Sequence, residues 1–89
     1  MIKEINGMIE DAYPVFINNS RQKQQTVFVK PMDEGMTKKL TLFGNKISSF
    51  IPTSEHGKFK FDCEVRNAKT KSGKHISYYN VIGFTKLEN

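Results

Sequence analysis

Residues 58–66, with the sequence KFKFDCEVR, alternate apolar and polar side chains without a break. Successive side chains of a β-strand point to opposite faces, so this segment predicts a strand with one buried face. The residues expected to face the core are Phe59, Phe61, Cys63 and Val65. A strand with one apolar face needs other elements to cover it, and this restricts the chain to sheet-containing folds.

The composition favours a β-rich domain. Eight Ile and five Val stand against three Leu and two Ala, and seven Phe and three Tyr add aromatic surface. β-Branched and aromatic residues suit pleated, half-buried surfaces. The 89 residues predict one domain over 1–89, with room for one core but not for a deep, many-walled active site.

Four further segments carry strand signals. They are residues 2–17, 25–30, 39–43 and 75–87. In the first, Gly7 and Pro14 are expected to bend or interrupt the strand, and Gly83 predicts a bulge in the last. Residues 31–36, PMDEGM, predict the turn between the second and third strands, with Asp33 and Glu34 as turn formers.

The apolar period changes after the third strand. Residues 46–51 space their apolar side chains as a helix does, and they predict a short helix that packs on the core. Asn45 is expected to cap this helix, and Pro52 to end it. Three strands, a helix and two strands are the order of the OB-fold. The predicted fold is therefore all-β with one short helix between strands 3 and 4, a five-stranded Greek-key barrel.

The charge of the chain suggests a polyanionic partner. Fourteen Lys and Arg against nine Asp and Glu give a net charge of +5, and the pI is about 9.4. Such a balance attracts nucleic acid or anionic lipid, although many small basic domains bind neither. No apolar run predicts a membrane span or signal peptide, and the one cysteine fits a reducing interior. We expect a cytoplasmic protein, in a bacterium or a phage-infected host, that does not bind membranes.

Residues 40–50, LTLFGNKISSF, resemble single-stranded-DNA-binding OB domains of the replication protein A type and their archaeal relatives. INGMI at 5–9 and YYNVIGFTKL at 78–87 are similar to the first and last strands of such domains. Phe43 stands where this family often has Trp. The chain also resembles small bacterial OB proteins of this length. The resemblance implies non-enzymatic binding of single-stranded DNA in replication, recombination or repair.

Single-strand binding requires flat side chains for the bases and cations for the phosphates. Phe28 and Phe43 are the candidates for stacking on strands 2 and 3, with a core position as the alternative for each. Tyr78 or Tyr79 is a third candidate, since neighbouring strand residues point to opposite faces. The expected cationic and polar contacts are Arg21 and Lys23 in the first polar loop (18–24), Lys30, Lys39 and Thr41 on strands 2 and 3, and Lys69, Lys71 and Lys74 in the last loop (67–74). The alternative for the cations of the two loops is that they are solvated surface residues that bind no ligand.

No catalytic or metal-binding pattern stands out. His56 and His75 lie in polar stretches, and neither has metal-ligand spacing to Cys63. We therefore expect no enzymatic activity, no cofactor and no metal. RNA binding by the same face remains open, as does a protein interaction module. A homo-oligomer formed by the edge of the first or last strand, or a place in a larger replication assembly, is also open.

Overall fold

The computed structural model describes residues 1–33 and 35–87. Its strands are β1 (Ile2–Ala12), β2 (Phe16–Ile17), β3 (Lys23–Pro31), β4 (Lys38–Phe43), β5 (Lys58–Lys69) and β6 (His75–Lys86). The predicted turn at 31–36 includes Glu34, which lies outside the described residues. Its first residue, Pro31, is the last residue of β3.

Five of the strands close into a barrel. β1 pairs with β3 on one side and with β5 on the other, β3 pairs with β4, and β5 pairs with β6, all antiparallel. A parallel pairing of β4 with β6 completes the circuit. The two-residue β2 extends the edge of β3 outside this circuit. The predicted all-β barrel is confirmed, and it is compatible with an OB-fold.

Gly7 allows β1 to pair with two neighbouring strands at the same position. It lies opposite Pro31 in β3 and opposite Phe59 in β5. A Cβ atom at Gly7 would collide with the carbonyl group of Lys30, so only glycine permits this approach. The expected interruption at Pro14 is also confirmed, because β1 ends at Ala12 and β2 starts after Pro14.

The inward faces of the strands form one core. Its buried members include the predicted Phe59, Phe61 and Cys63, together with Val27, Val29, Leu40 and Leu42. The predicted Val65 is only half-buried, because it lies where β5 begins to leave the barrel. The pairing of β5 with β6 shifts by one residue, because the consecutive residues Asp62 and Cys63 pair with Gly83 and Val81, which are two positions apart. This shift lies at the bulge expected near Gly83.

The prediction of a helix at 46–51 is wrong, because no helix occurs within residues 1–33 and 35–87. Only one turn forms, in which the amides of Lys46 and Ile47 both donate to the Phe43 carbonyl oxygen at 2.9 and 3.1 Å. So short a helix gains little after its costly nucleation, and Pro52 disfavours the helical conformation at the residue before it. The apolar side chains of this segment still pack on the core.

Gln25 is a polar residue in the core, and it holds the segment that replaces the helix. Its side-chain Oε1 accepts a hydrogen bond from the amide of Ile51 at 2.9 Å, and its Nε2 donates to the carbonyl oxygen of Ile51 at 2.6 Å. The same nitrogen donates to the carbonyl oxygen of Tyr13 at 2.9 Å. Gln25 and Ile51 are both buried. The amide thereby satisfies backbone groups that strand pairing leaves without partners.

Replacing Gln25 with Leu should lower the free energy of unfolding by about 3 kcal/mol or more, because three hydrogen bonds are lost, two of them buried, and the Ile51 backbone is left unsatisfied. Urea unfolding followed by circular dichroism measures the change. Gln22→Leu, at a half-buried position in the turn between β2 and β3, is the control and should change stability by less than about 0.5 kcal/mol. Equal effects of the two substitutions would contradict the role of the Gln25 amide.

Cys63 should be inert to thiol reagents in the folded protein. Burial, with a smaller effect of the Asp62 carboxylate, raises the pKa of its thiol to about 12. Because this pKa lies above that of an unfolded cysteine, the resulting stabilisation is present below about pH 8.5 and is lost as the pH rises toward 12. We expect a thiol-reactive dye at pH 8 to label Cys63 only in denaturant. Rapid labelling of the folded chain would contradict the buried position.

Candidate nucleic-acid interface

The outer surface of β3 and β4 is ordered by the buried residues beneath it. Since Val27, Val29, Leu40 and Leu42 point inward, the residues between them point outward. Cross-strand pairing aligns the outward residues in rows, which are Gln24 with Phe43, Thr26 with Thr41, and Phe28 with Lys39. On the far side of β4, Asn80 of β6 lies beside Thr41. We call this surface the outer face.

A groove of about 700 Å³ runs over the outer face toward β5 and β6. Its lining residues are Gln24, Lys39, Thr41, Phe43, Arg66, Ile76, Ser77, Tyr78, Tyr79 and Asn80. The groove brings together five of the predicted contact residues, which are Lys39, Thr41, Phe43, Tyr78 and Tyr79. Aromatic, cationic and uncharged polar side chains are therefore mixed within one depression.

Two smaller depressions continue the groove along β6. One, of about 350 Å³, shares Phe43, Arg66 and Asn80 with it. The next, of about 340 Å³, shares Lys46 and Ile82 with the second. From Ile76 to Phe84 the track follows β6 for roughly 25 Å at the usual rise of a strand. The surface thus offers an elongated path rather than a closed pocket.

The two neighbouring tyrosines of β6 have different surroundings. Tyr79 packs against the core, and the Nζ atom of Lys38 lies 5.1 Å from the centre of its ring. Tyr78 retains 51% of its exposure and lies opposite Arg66 of β5. Of the two tyrosines, Tyr78 has the more exposed side chain, and Tyr79 is half-buried.

The two phenylalanines also differ. Phe43 is half-buried and borders both the groove and its first continuation. Phe28 is half-buried on the same face, but its ring packs against Tyr13 with 5.4 Å between centres and does not line the groove. Lys30 is exposed beyond Phe28, opposite Met8 of β1. These two predicted residues lie beside the groove rather than in it.

The positive charge in the groove is partly neutralised by a neighbouring carboxylate. Arg66 is well exposed, and its Nε atom lies 3.6 Å from a carboxylate oxygen of Glu64. An exposed pair at this distance is weak, so the guanidinium can exchange its partner for a phosphate at little cost. Lys39 is exposed across the groove and lies opposite Phe28.

Lys69, Lys71 and Lys74 lie on an arm that extends from the barrel. β5 pairs with β1 only up to Glu64, and β6 pairs with β4 only from Tyr79 to Val81, so residues 66–69 and 75–78 form a two-stranded ribbon. The predicted loop at 67–74 is therefore too long, and Lys69 belongs to β5. The β6 half of this ribbon lies in the strand predicted at 75–87, which is confirmed, but sequence periodicity missed the β5 half at 67–69, where neither face is covered by another strand.

The first basic loop is also shorter than predicted. Lys23 begins β3, and the turn before it is organised by Asn18, whose side-chain oxygen accepts hydrogen bonds from the amides of Ser20 and Gln22 at 2.9 and 3.0 Å. Arg21 adopts a left-handed backbone conformation in this turn, with φ of 61°. The exposed Arg21 is thereby held on an ordered turn.

Several residues of the groove were not among the predicted contact residues. They are Gln24, Arg66, Ile76, Ser77 and Asn80. Arg66 falls on the polar face of the strand predicted at 58–66, but nothing in the sequence gives the register that sets it opposite Tyr78. Phe16 was missed as well, although it pairs with Gln24 and extends the row that contains Phe43.

Among residues 1–33 and 35–87, no group of three His, Cys, Asp or Glu side chains is arranged to hold a metal ion. The same residues contain no helix long and apolar enough to cross a membrane. A scan against protein-family models finds no match to the chain, and a search of curated proteins finds no similar sequence.

Proposed function

We propose that the chain binds single-stranded DNA along the groove, without catalysing a reaction, in replication, recombination or repair. The observation that carries this proposal is the combination of Tyr78 and Phe43 with Lys39 and Arg66 in one elongated groove. A flexible strand with exposed bases requires this mixture of flat surfaces and cations.

The dimensions of the groove favour a short stretch of single strand. A track of roughly 25 Å suits the lower end of the usual site size of about 4 to 16 nucleotides per OB barrel. Each base stacked on Tyr78 or Phe43 would contribute roughly 1 to 3 kcal/mol. The lysines of the β5–β6 arm would add phosphate contacts at one end of the track.

The polar side chains between the rings suit contacts to sugars or base edges. Thr41, Ser77 and Asn80 supply hydroxyl and amide groups on the groove surface. These groups can serve a deoxyribose strand or an RNA strand, and only a contact to the 2′-hydroxyl would distinguish them. RNA is therefore the competitor to include in the first binding experiment.

Fluorescence anisotropy of labelled oligo-dT, the matched RNA and a duplex, each at two salt concentrations, tests the proposal. We expect oligo-dT to bind more tightly than the duplex, because bases in a duplex cannot reach Tyr78 and Phe43, and the proposed DNA function predicts that oligo-dT also binds more tightly than the matched RNA. The affinity should fall as salt rises, because bound cations release counterions from the strand. Tighter binding of the RNA would mean that RNA, and not DNA, is the ligand. Absence of binding to all three would favour a protein interaction module.

Two substitutions separate stacking from charge. Tyr78→Ala should lower the affinity for oligo-dT about tenfold with an unchanged salt dependence, because a stacking surface is lost. Lys71→Ala should reduce the slope of log K against log salt by about 0.7, because one phosphate contact is lost. Lys58→Ala, at the far end of β5 from the arm, is the control for lysine removal and should leave the slope nearly unchanged.

Identical slopes for the Lys71 and Lys58 variants would contradict the role of the arm. An unchanged affinity in the Tyr78 variant would contradict stacking in the groove. Since Tyr78 is exposed, the variant should fold normally, and circular dichroism checks this.

A further inference from the structure

β2 and the residues before it expose an apolar surface at the edge of the sheet. Phe16 and Ile17 are 49% and 62% exposed, and Tyr13 and Val15 are also exposed. Together the four side chains present roughly 400 Å² of surface, a size typical of interaction sites on soluble proteins. Since Phe16 and Ile17 are adjacent in the strand, this surface continues over both faces of the sheet edge.

The edge of β2 also has backbone groups that point away from the barrel. β2 pairs with β3 alone among the described strands. The backbone N–H of Asn18 donates to the Gln22 carbonyl oxygen at 2.9 Å, and Ile17 pairs with Lys23 of β3. Bonded and non-bonded pairs alternate in antiparallel strands, so Ile17 forms a non-bonded pair and its N–H and C=O groups face outward. The C=O group of Val15 shares a peptide plane with the N–H of Phe16, which points toward Gln24 of β3, and so this C=O group also faces outward.

This edge lacks the charges that usually protect a free strand. Natural proteins place Lys, other charged residues or Pro on such edges to prevent pairing. Residues 12–20, AYPVFINNS, carry no charged side chain in a chain that is 26% charged. Pro14 limits the strand at one end but leaves Val15 to Ile17 open. A partner segment here meets no like charge, although each copy of the chain has a net charge of +5.

We propose that β2 pairs antiparallel with β2 of a second copy of this chain. A two-fold axis at Phe16 sets Val15 opposite Ile17 of the partner subunit, and Ile17 opposite the partner's Val15. Each outward Ile17 N–H group then donates to the outward C=O group of the partner's Val15, which gives two hydrogen bonds between the copies. The edge is thus complementary to itself, as a two-fold symmetric interface requires.

The symmetry has a consequence for the outer face. The two-fold axis between antiparallel strands is perpendicular to the sheet, so both copies present their outer faces on the same side. Phe16 lies on that face, because it pairs with Gln24 in the row that contains Phe43. Phe16 and the partner subunit's Phe16 then lie side by side between the two grooves. The dimer joins the two grooves across one continuous sheet.

Analytical ultracentrifugation of the full chain without nucleic acid, from about 5 to 500 µM, tests the pairing. Complete covering of the exposed apolar surface would bury at most about 800 Å² over both copies, which is below the area of stable complexes, so a weak and reversible monomer–dimer equilibrium is expected. Ile17→Lys should raise the dissociation constant at least about tenfold, because it places two ammonium groups against the paired edge. Met36→Lys, at a residue that is 79% exposed outside this surface, makes the same change in charge and should leave the equilibrium as it is.

A monomer at every concentration would overturn the proposal, and so would a dimer that Ile17→Lys leaves intact. Hydrogen exchange gives an independent result, because the backbone amide of Ile17 should become protected as the protein concentration rises. Exchange at that amide that does not depend on concentration would also overturn the proposal. Ile17 is largely exposed, so the variant should keep the thermal unfolding midpoint of the wild-type chain.

Discussion

The side-chain amide of Gln25 joins two links of the chain to the core of the barrel. From near the start of β3 it reaches the backbone of Ile51 in the link between β4 and β5, and the backbone of Tyr13 in the link between β1 and β2. A buried amide is costly unless its hydrogen bonds are made, and here the two links supply the partners. The Gln25 amide therefore holds both links at this end of β3, while pairing with β3 positions β2 itself.

Barrel closure then determines the chemistry of the surface. With one face of every barrel strand committed to the core, the alternate residues of β3, β4 and β6 must share the outer face. The parallel contact of β4 with β6 places Thr41 beside Asn80, and thereby brings the aromatic and cationic residues of β4 close to those of the β5–β6 arm. The groove is therefore a product of the topology, since its residues come from four strands distant in sequence.

Periodicity in the sequence was sufficient for the strands that have one buried face. The alternation at 58–66 predicted the inward positions of Phe59, Phe61 and Cys63 correctly. It failed where burial does not follow a simple pattern. The segment at 46–51 has helical spacing but is fixed in a non-helical conformation by Gln25, a contact that spans 26 positions of the sequence. The end of β5 at 67–69 has two uncovered faces and shows no alternation, so it was predicted as a loop, whereas its partner strand β6 was predicted.

The residue types of the candidate site could be predicted from the sequence, but their arrangement in the fold could not. Cations and aromatics on alternate positions indicated a binding face, but the register that unites Lys39 and Phe43 with Tyr78, and leaves Phe28 beside the groove, exists only in the folded barrel. The most direct test of the binding face is a heteronuclear NMR titration of the labelled chain with oligo-dT. We predict that the largest shifts occur at Thr41, Phe43 and Tyr78, with small shifts at Glu4 and Lys60 on the surface around β1. The largest shifts on the β1 side, or none on the outer face, would contradict the account.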